Sequence, residues 1–186
     1  MKKTNVKKMV GIAIMSAIVV VLQLLGSFIK FGPVSISLVL IPIVVGAAVY
    51  GPVAGAFLGF VFSIVVLLQP DTAWFYGMSF LGTVLTVLVK GSFAGFISGA
   101  VYKAFAKINT WIAVLLSAIV CPIVNTGIFA LGCRLFFWEG LAEAGGGNAV
   151  VFLFTVMIGF NFIAELLTNL ICSPVIVRVL HAAKVK

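Results

Sequence analysis

Residues 150–177 read VVFLFTVMIGFNFIAELLTNLICSPVIV. About 20 apolar residues in a helix cross the hydrocarbon of a bilayer, so this run reads as a membrane span. Three polar side chains interrupt it: Asn161, Glu165 and Asn169. Their i, i+4, i+8 spacing sets them on one helix face. A carboxylate and two amides at membrane depth are costly unless they meet partners or a cavity. The expectation is a polar, ligand-sized site inside a bundle of membrane helices.

Composition extends the membrane reading to the whole chain. Apolar residues make up 63% of the sequence and charged residues only 9%, far from the soluble norm. The formal net charge of +8 comes from cations gathered at the ends of apolar runs. There they act as orientation signals and lipid-headgroup anchors, and no nucleic-acid partner is expected. Cys121, Cys133 and Cys172 are odd in number and lack metal spacing, so they read as small buried hydrophobes. No metal or cofactor is expected. The apolar run behind Lys2, Lys3, Lys7 and Lys8 is longer than a signal-peptide core and lacks a small-residue cleavage site, so it reads as an uncleaved first span.

The fold class expected is an all-α membrane protein: one domain, residues 1–186, forming a bundle of six transmembrane helices. The spans are 9–29, 36–50, 52–68, 78–102, 110–137 and 149–179. The second is short and holds Pro42, Gly51-Pro52 marks a turn, and Pro122 is a candidate kink in the fifth. Residues 69–77 and 138–148 read as loops. An inside N-terminus places the four N-terminal lysines, Lys103, Lys107, Arg178, Lys184 and Lys186 in the cytoplasm. Lys30 and Arg134 then fall outside, with Asp71, Glu139 and Glu143. This obeys the positive-inside rule and makes both termini cytoplasmic. Tyr50, Tyr102 and Trp111 would mark the inner interface, and Trp74, Tyr76 and Trp138 the outer one.

Three small-residue stripes repeat every four residues: Ala13 and Ala17; Gly51, Gly55 and Gly59; Gly91, Gly95 and Gly99. Such faces let helix backbones approach closely in lipid. The glycine stripes read as internal packing. The alanine stripe starts near the cytoplasmic face and could dock a partner.

The substrate-binding candidates are Lys90 in span four, Asn125 in span five, and Asn161 and Glu165 in span six, with Trp74 and Tyr76 as a lid. Thr126 sits beside Asn125. Each has a structural alternative. Lys90 and Glu165 can pair across helices, the asparagines can bond helix to helix, and the aromatics can anchor at the interface. With the C-terminus inside, Asn161 is outermost. The polar series covers about two turns, roughly 12 Å, so a shallow outward pocket does not reach all of it. Asn161 is read as a ligand contact, Glu165 as pocket floor or partner of Lys90, and Asn169 as helix packing. No P-loop, zinc-protease, serine-hydrolase or paired-carboxylate signature occurs, so neither ATP hydrolysis nor an intramembrane enzyme is expected.

The chain resembles the substrate-binding S-component of energy-coupling factor (ECF) vitamin transporters. The resemblance rests on Ala13-Ile-Met-Ser-Ala17, on SISLVLIP at 35–42, on Gly51-Pro-Val-Ala-Gly55-Ala-Phe-Leu-Gly59, on Lys90-Gly91 with Gly95 and Gly99, and on the polar last span. Their order and spacing carry it across essentially the whole chain. It implies a multi-pass protein of the bacterial plasma membrane that binds a water-soluble vitamin or related micronutrient from outside. It also implies a membrane coupling subunit, facing Ala13 and Ala17, and two cytoplasmic ATPases whose ATP hydrolysis topples the S-component to release its ligand inside. Pantothenate, folate, riboflavin and thiamine carriers are all of this kind, and pantothenate is preferred here. Lys90 or Arg134 could meet a substrate carboxylate, and Glu165 a cationic or hydroxylated group. Two other readings stay open: a stand-alone ion- or proton-coupled carrier using Glu165, and a membrane scaffold without a ligand.

Overall fold

The computed structural model describes residues 3–27, 30–31, 34–35 and 39–184. Nine α-helices are found among them: α1 (Lys3–Gly26), α2 (Leu40–Tyr50), α3 (Pro52–Leu67), α4 (Ala73–Met78), α5 (Phe80–Phe105), α6 (Thr110–Phe136), α7 (Trp138–Ala144), α8 (Ala149–Phe152) and α9 (Phe160–Lys184). Between α8 and α9 the helix continues through a π-helical stretch, Leu153–Gly159. Two strands, β1 (Lys30–Phe31) and β2 (Val34–Ser35), pair antiparallel between α1 and α2. Part of the 35–42 motif, residues 36–38, lies outside the described residues, as does the side chain of Lys30.

Side-chain caps mark where several helices begin. Ser79 accepts a bond from Gly82 N (3.1 Å) at the start of α5. Asn109 accepts from Trp111 N (2.7 Å) before α6, and Asn148 from Val151 N (3.1 Å) before α8. Each satisfies a backbone donor that the first helical turn leaves over.

The expected loops are largely helical. Residues 70–78 form a 3₁₀ turn and α4, and residues 138–144 form α7. Among the described residues, four helices are long and apolar enough to cross a membrane: Val6–Gly26, Phe80–Phe105, Thr110–Phe136 and Ala149–Ala182. A fifth arises if Pro52–Leu67 and Pro70–Met78, bent by 76°, count as one span. Helix α2 has eleven residues, about 16 Å at 1.5 Å per residue, against some 30 Å of hydrocarbon. It is enclosed by the others, with Leu40 and every residue from Pro42 to Ala47 buried. The bundle's outside, by contrast, shows large apolar side chains such as Phe57, Phe93, Leu131 and Ile171, as a lipid-facing surface requires.

The two glycine stripes pack on each other. A Cβ at Gly59 would run into the carbonyl oxygen of Gly91, and one at Gly55 into that of Gly95. Helices α3 and α5 therefore touch backbone to backbone. One turn further along α3, Ser63 Oγ donates to Val87 O on α5 (2.7 Å). Helix α1 lies at the periphery, and Ala13 and Ala17 are exposed on its outer face. Tyr102 departs from its expected interfacial place. It is buried in the core cluster around α2, because Gly99 lets α5 close onto Pro52 and carries the next turn beneath the α2–α3 junction.

Replacing Gly95 by leucine should lower the melting temperature in detergent markedly, because backbone atoms of α3 occupy the space; overpacking costs about 1–3 kcal/mol or more. Replacing Gly127, where an added Cβ meets nothing within 4 Å, by alanine should leave melting nearly unchanged.

Candidate functional site

Helix direction decides where the site lies. The C-terminal parts of α1, α3 and α6 and the N-terminal parts of α5 and the last helix meet at one end of the bundle, remote from both termini. A cavity opens there, with about 810 Å³ of atom-free space including its mouth. Gln23 of α1, Gln69 and Asp71 before α4, and Phe75 of α4 line it. Thr83, Thr86 and Lys90 contribute from α5, Asn125, Thr126 and Phe129 from α6, and Met157, Asn161 and Glu165 from the last helix. The mixture of apolar walls and a few polar groups is typical of a small-molecule site.

Four of the residues singled out from sequence thus converge: Lys90, Asn125, Asn161 and Glu165. Lys90 Nζ stands 5.0 Å from the ring centre of Phe129 and 5.9 Å from that of Phe62. Ring faces at such distances attract an ammonium group. Asn125 and Asn161 are each 5% exposed and Glu165 is 6% exposed. Asn161 Nδ2 donates to Met157 O (3.3 Å), one turn back on its own helix.

Trp74 and Tyr76 do not line the cavity; the aromatic between them does. Phe75 is buried and meets Phe129 and Phe137 edge to face, at 5.7 and 5.2 Å between centroids. Trp74 is exposed and packs on Phe75 and Phe152. The Tyr76 hydroxyl donates to Leu67 O (2.9 Å), and its ring stacks on Phe80. Once residues 73–78 coil into a helix, neighbours in sequence stand about 100° apart, and one of three aromatics turns inward. Arg134, the other candidate for a substrate carboxylate, lies over the Trp138 ring at 4.5 Å and stands outside the lining.

Asn169 has a different task. Its Nδ2 donates to Ala118 O on α6 (3.3 Å). Ala118 is four residues before Pro122, whose nitrogen carries no hydrogen, so that carbonyl lacks its helical donor. In the membrane interior such a group needs another partner, and Asn169 supplies it. The sequence pattern alone did not reveal this link, nor did it single out Gln23, Thr83 or Thr86. A glutamine inside the first apolar run was the available signal for Gln23.

A family model described as the substrate-specific component of ECF transporters matches residues 7–177. Neither the curated proteins nor the solved structures give a significant match.

Asn169→Ala should lower stability by about 1–3 kcal/mol, the cost of a stranded buried acceptor. In a Pro122→Ala background, where the α6 backbone regains its own donor, the same change should cost much less. Thermal melting of the four proteins in one detergent measures the difference.

Proposed function

Because the chain belongs to the family of substrate-specific components of ECF transporters, we propose that it captures a water-soluble vitamin or related micronutrient from outside the cell. It then passes the ligand to the cytoplasm together with a membrane coupling subunit and two cytoplasmic ATPases. The family is one of transporter components and not of enzymes. The observation that carries the reading is the gathering of Lys90, Asn125, Asn161 and Glu165 around one cavity at the end of the bundle away from the termini. With both termini cytoplasmic in a bacterial plasma membrane, as the charge distribution favours, that end faces outward. Helix α2 completes the bundle as a short sixth span held among the others.

Pantothenate is the substrate we favour. Its carboxylate suits the Lys90 ammonium, and its amide and hydroxyls suit carboxamide, threonine and carboxylate groups. Its gem-dimethyl carbon suits the wall of Phe75 and Phe129. Lys90 supports the carboxylate assignment better than Arg134, which lies outside the lining. Ala13 and Ala17, exposed on α1, form the face for the coupling subunit, where small side chains permit close helix approach.

Gentle purification followed by mass spectrometry of co-purified small molecules tests the substrate class, and a molecule outside the vitamin-like class would overturn it. Uptake in vesicles should require both ATP and the coupling module; uptake by this chain alone would instead support a stand-alone carrier. Lys90→Met should weaken pantothenate binding about tenfold or more, as loss of a charge-assisted bond implies. Ala13→Trp with Ala17→Trp should abolish uptake and leave pantothenate affinity intact.

A further inference from the structure

We propose that Gln23 is a ligand-binding residue of the cavity, its side-chain carbonyl accepting a hydrogen bond from an N–H or O–H group of the bound molecule. This rests on the reading that the cavity takes a substrate. Helix α1 is otherwise a peripheral element: from residue 6 to 27 only Val19, Gln23 and Gly26 are buried. Gln23 is 1% exposed and reaches the lining.

The hydrogen-bond network fixes which way its carboxamide points. Gln69 Nε2 donates to the backbone oxygen of Gln23 (3.2 Å). The other end of Gln69, Oε1, is then free to accept, and it does so from Gln23 Nε2 (2.9 Å). That leaves Gln23 Oε1, a buried acceptor with no protein donor among the described residues. Flipping either amide would set oxygen against oxygen. Gln69 is thus a positioning residue that holds the Gln23 carboxamide at the cavity wall with Oε1 unspent.

The rest of the lining agrees with a donor-bearing molecule. Asn161 spends its amide nitrogen on Met157 O, and among the described residues neither its Oδ1 nor Asn125 Oδ1 has a protein donor. These oxygens come from α1, α6 and α9. Among the described residues Lys90 is the one basic side chain in the lining, which also holds the carboxyl groups of Asp71 and Glu165. A buried acceptor without a donor is disfavoured until something supplies one. The complement of this cavity is a small molecule with several N–H or O–H groups and one anionic end for Lys90.

The test compares the full-length wild-type protein with Gln23→Leu and Gln23→Glu. The probes are pantothenate and three analogues that each lack one donor: two with a hydroxyl replaced by hydrogen and one N-methylated at the amide. Affinities come from calorimetry, folding from melting, and the co-purified load from mass spectrometry. Gln23→Leu should weaken pantothenate about tenfold or more, but at least one analogue by less than about threefold, since that analogue has no bond to lose. Gln23→Glu keeps an acceptor and charges it, so discrimination against that same analogue should rise; this readout holds even if the leucine variant fails to fold. Equal losses on pantothenate and all three analogues, or unchanged discrimination in Gln23→Glu, would overturn the assignment. If the wild type carries another molecule and binds no pantothenate, loss of that load in Gln23→Leu supports Gln23 while sinking pantothenate, and retention of the load overturns Gln23. A wild type that carries and binds no small molecule overturns both.

Discussion

The backbone contact between α3 and α5 is the constraint on which the rest of the arrangement depends. In lipid, helices gain little by hiding apolar side chains from one another, so close approach and dispersion must hold them together. Gly55 against Gly95 and Gly59 against Gly91 give that approach. Through the 76° bend that follows α3, the same contact sets where α4 lies and hence where Phe75 points. It also aims Lys90. That residue precedes Gly91 by one position, about 100° round the helix, so it turns to the side of the α3 contact and meets Phe129 of α6 as well as Phe62 of α3.

Polar groups inside the bundle divide into two kinds. Some close helix-to-helix bonds: Ser98 and Ser117 each donate to the other's backbone carbonyl across α5 and α6 (3.3 and 3.0 Å), and Asn169 serves the carbonyl that Pro122 leaves over. Others keep an acceptor without a donor among the described residues, and these include Gln23, Asn125 and Asn161, all at the cavity. The satisfied groups lie toward the termini, where α6 and α9 pack tightly. Gln23, Asn125 and Asn161 lie where the helices part around the cavity.

Features that depend on one helix alone were legible in the sequence. A four-residue glycine rhythm needs only a helix to become a stripe, and Glu165 in an apolar run needs only a bilayer to become costly. What was not legible depends on how helices meet. Nothing in Trp74-Phe75-Tyr76 says which ring turns inward until α4 forms and bends across the bundle. Tyr102 stands beside Lys103 like an interfacial anchor, yet Gly99 draws it under α2. Asn169 and Pro122 lie on separate helices, and their link is a matter of register between them.

The π-helical stretch of the last helix has a geometric consequence. Ala149, Leu153, Met157, Asn161, Glu165, Asn169, Ser173 and Val177 are all buried, at an unbroken interval of four. In a regular α-helix each such step overshoots a full turn by about 40°, and the row would wind off the bundle before reaching its end. The wider turns at Leu153–Gly159 take up surplus residues and reset the phase just before Asn161. The row of buried residues runs from Ala149 past Asn161 and Glu165 at the cavity to Val177. Taking out one residue of that stretch would let it close into regular α-helix, with Asn161 and Glu165 left close to their present phase relative to Ala149.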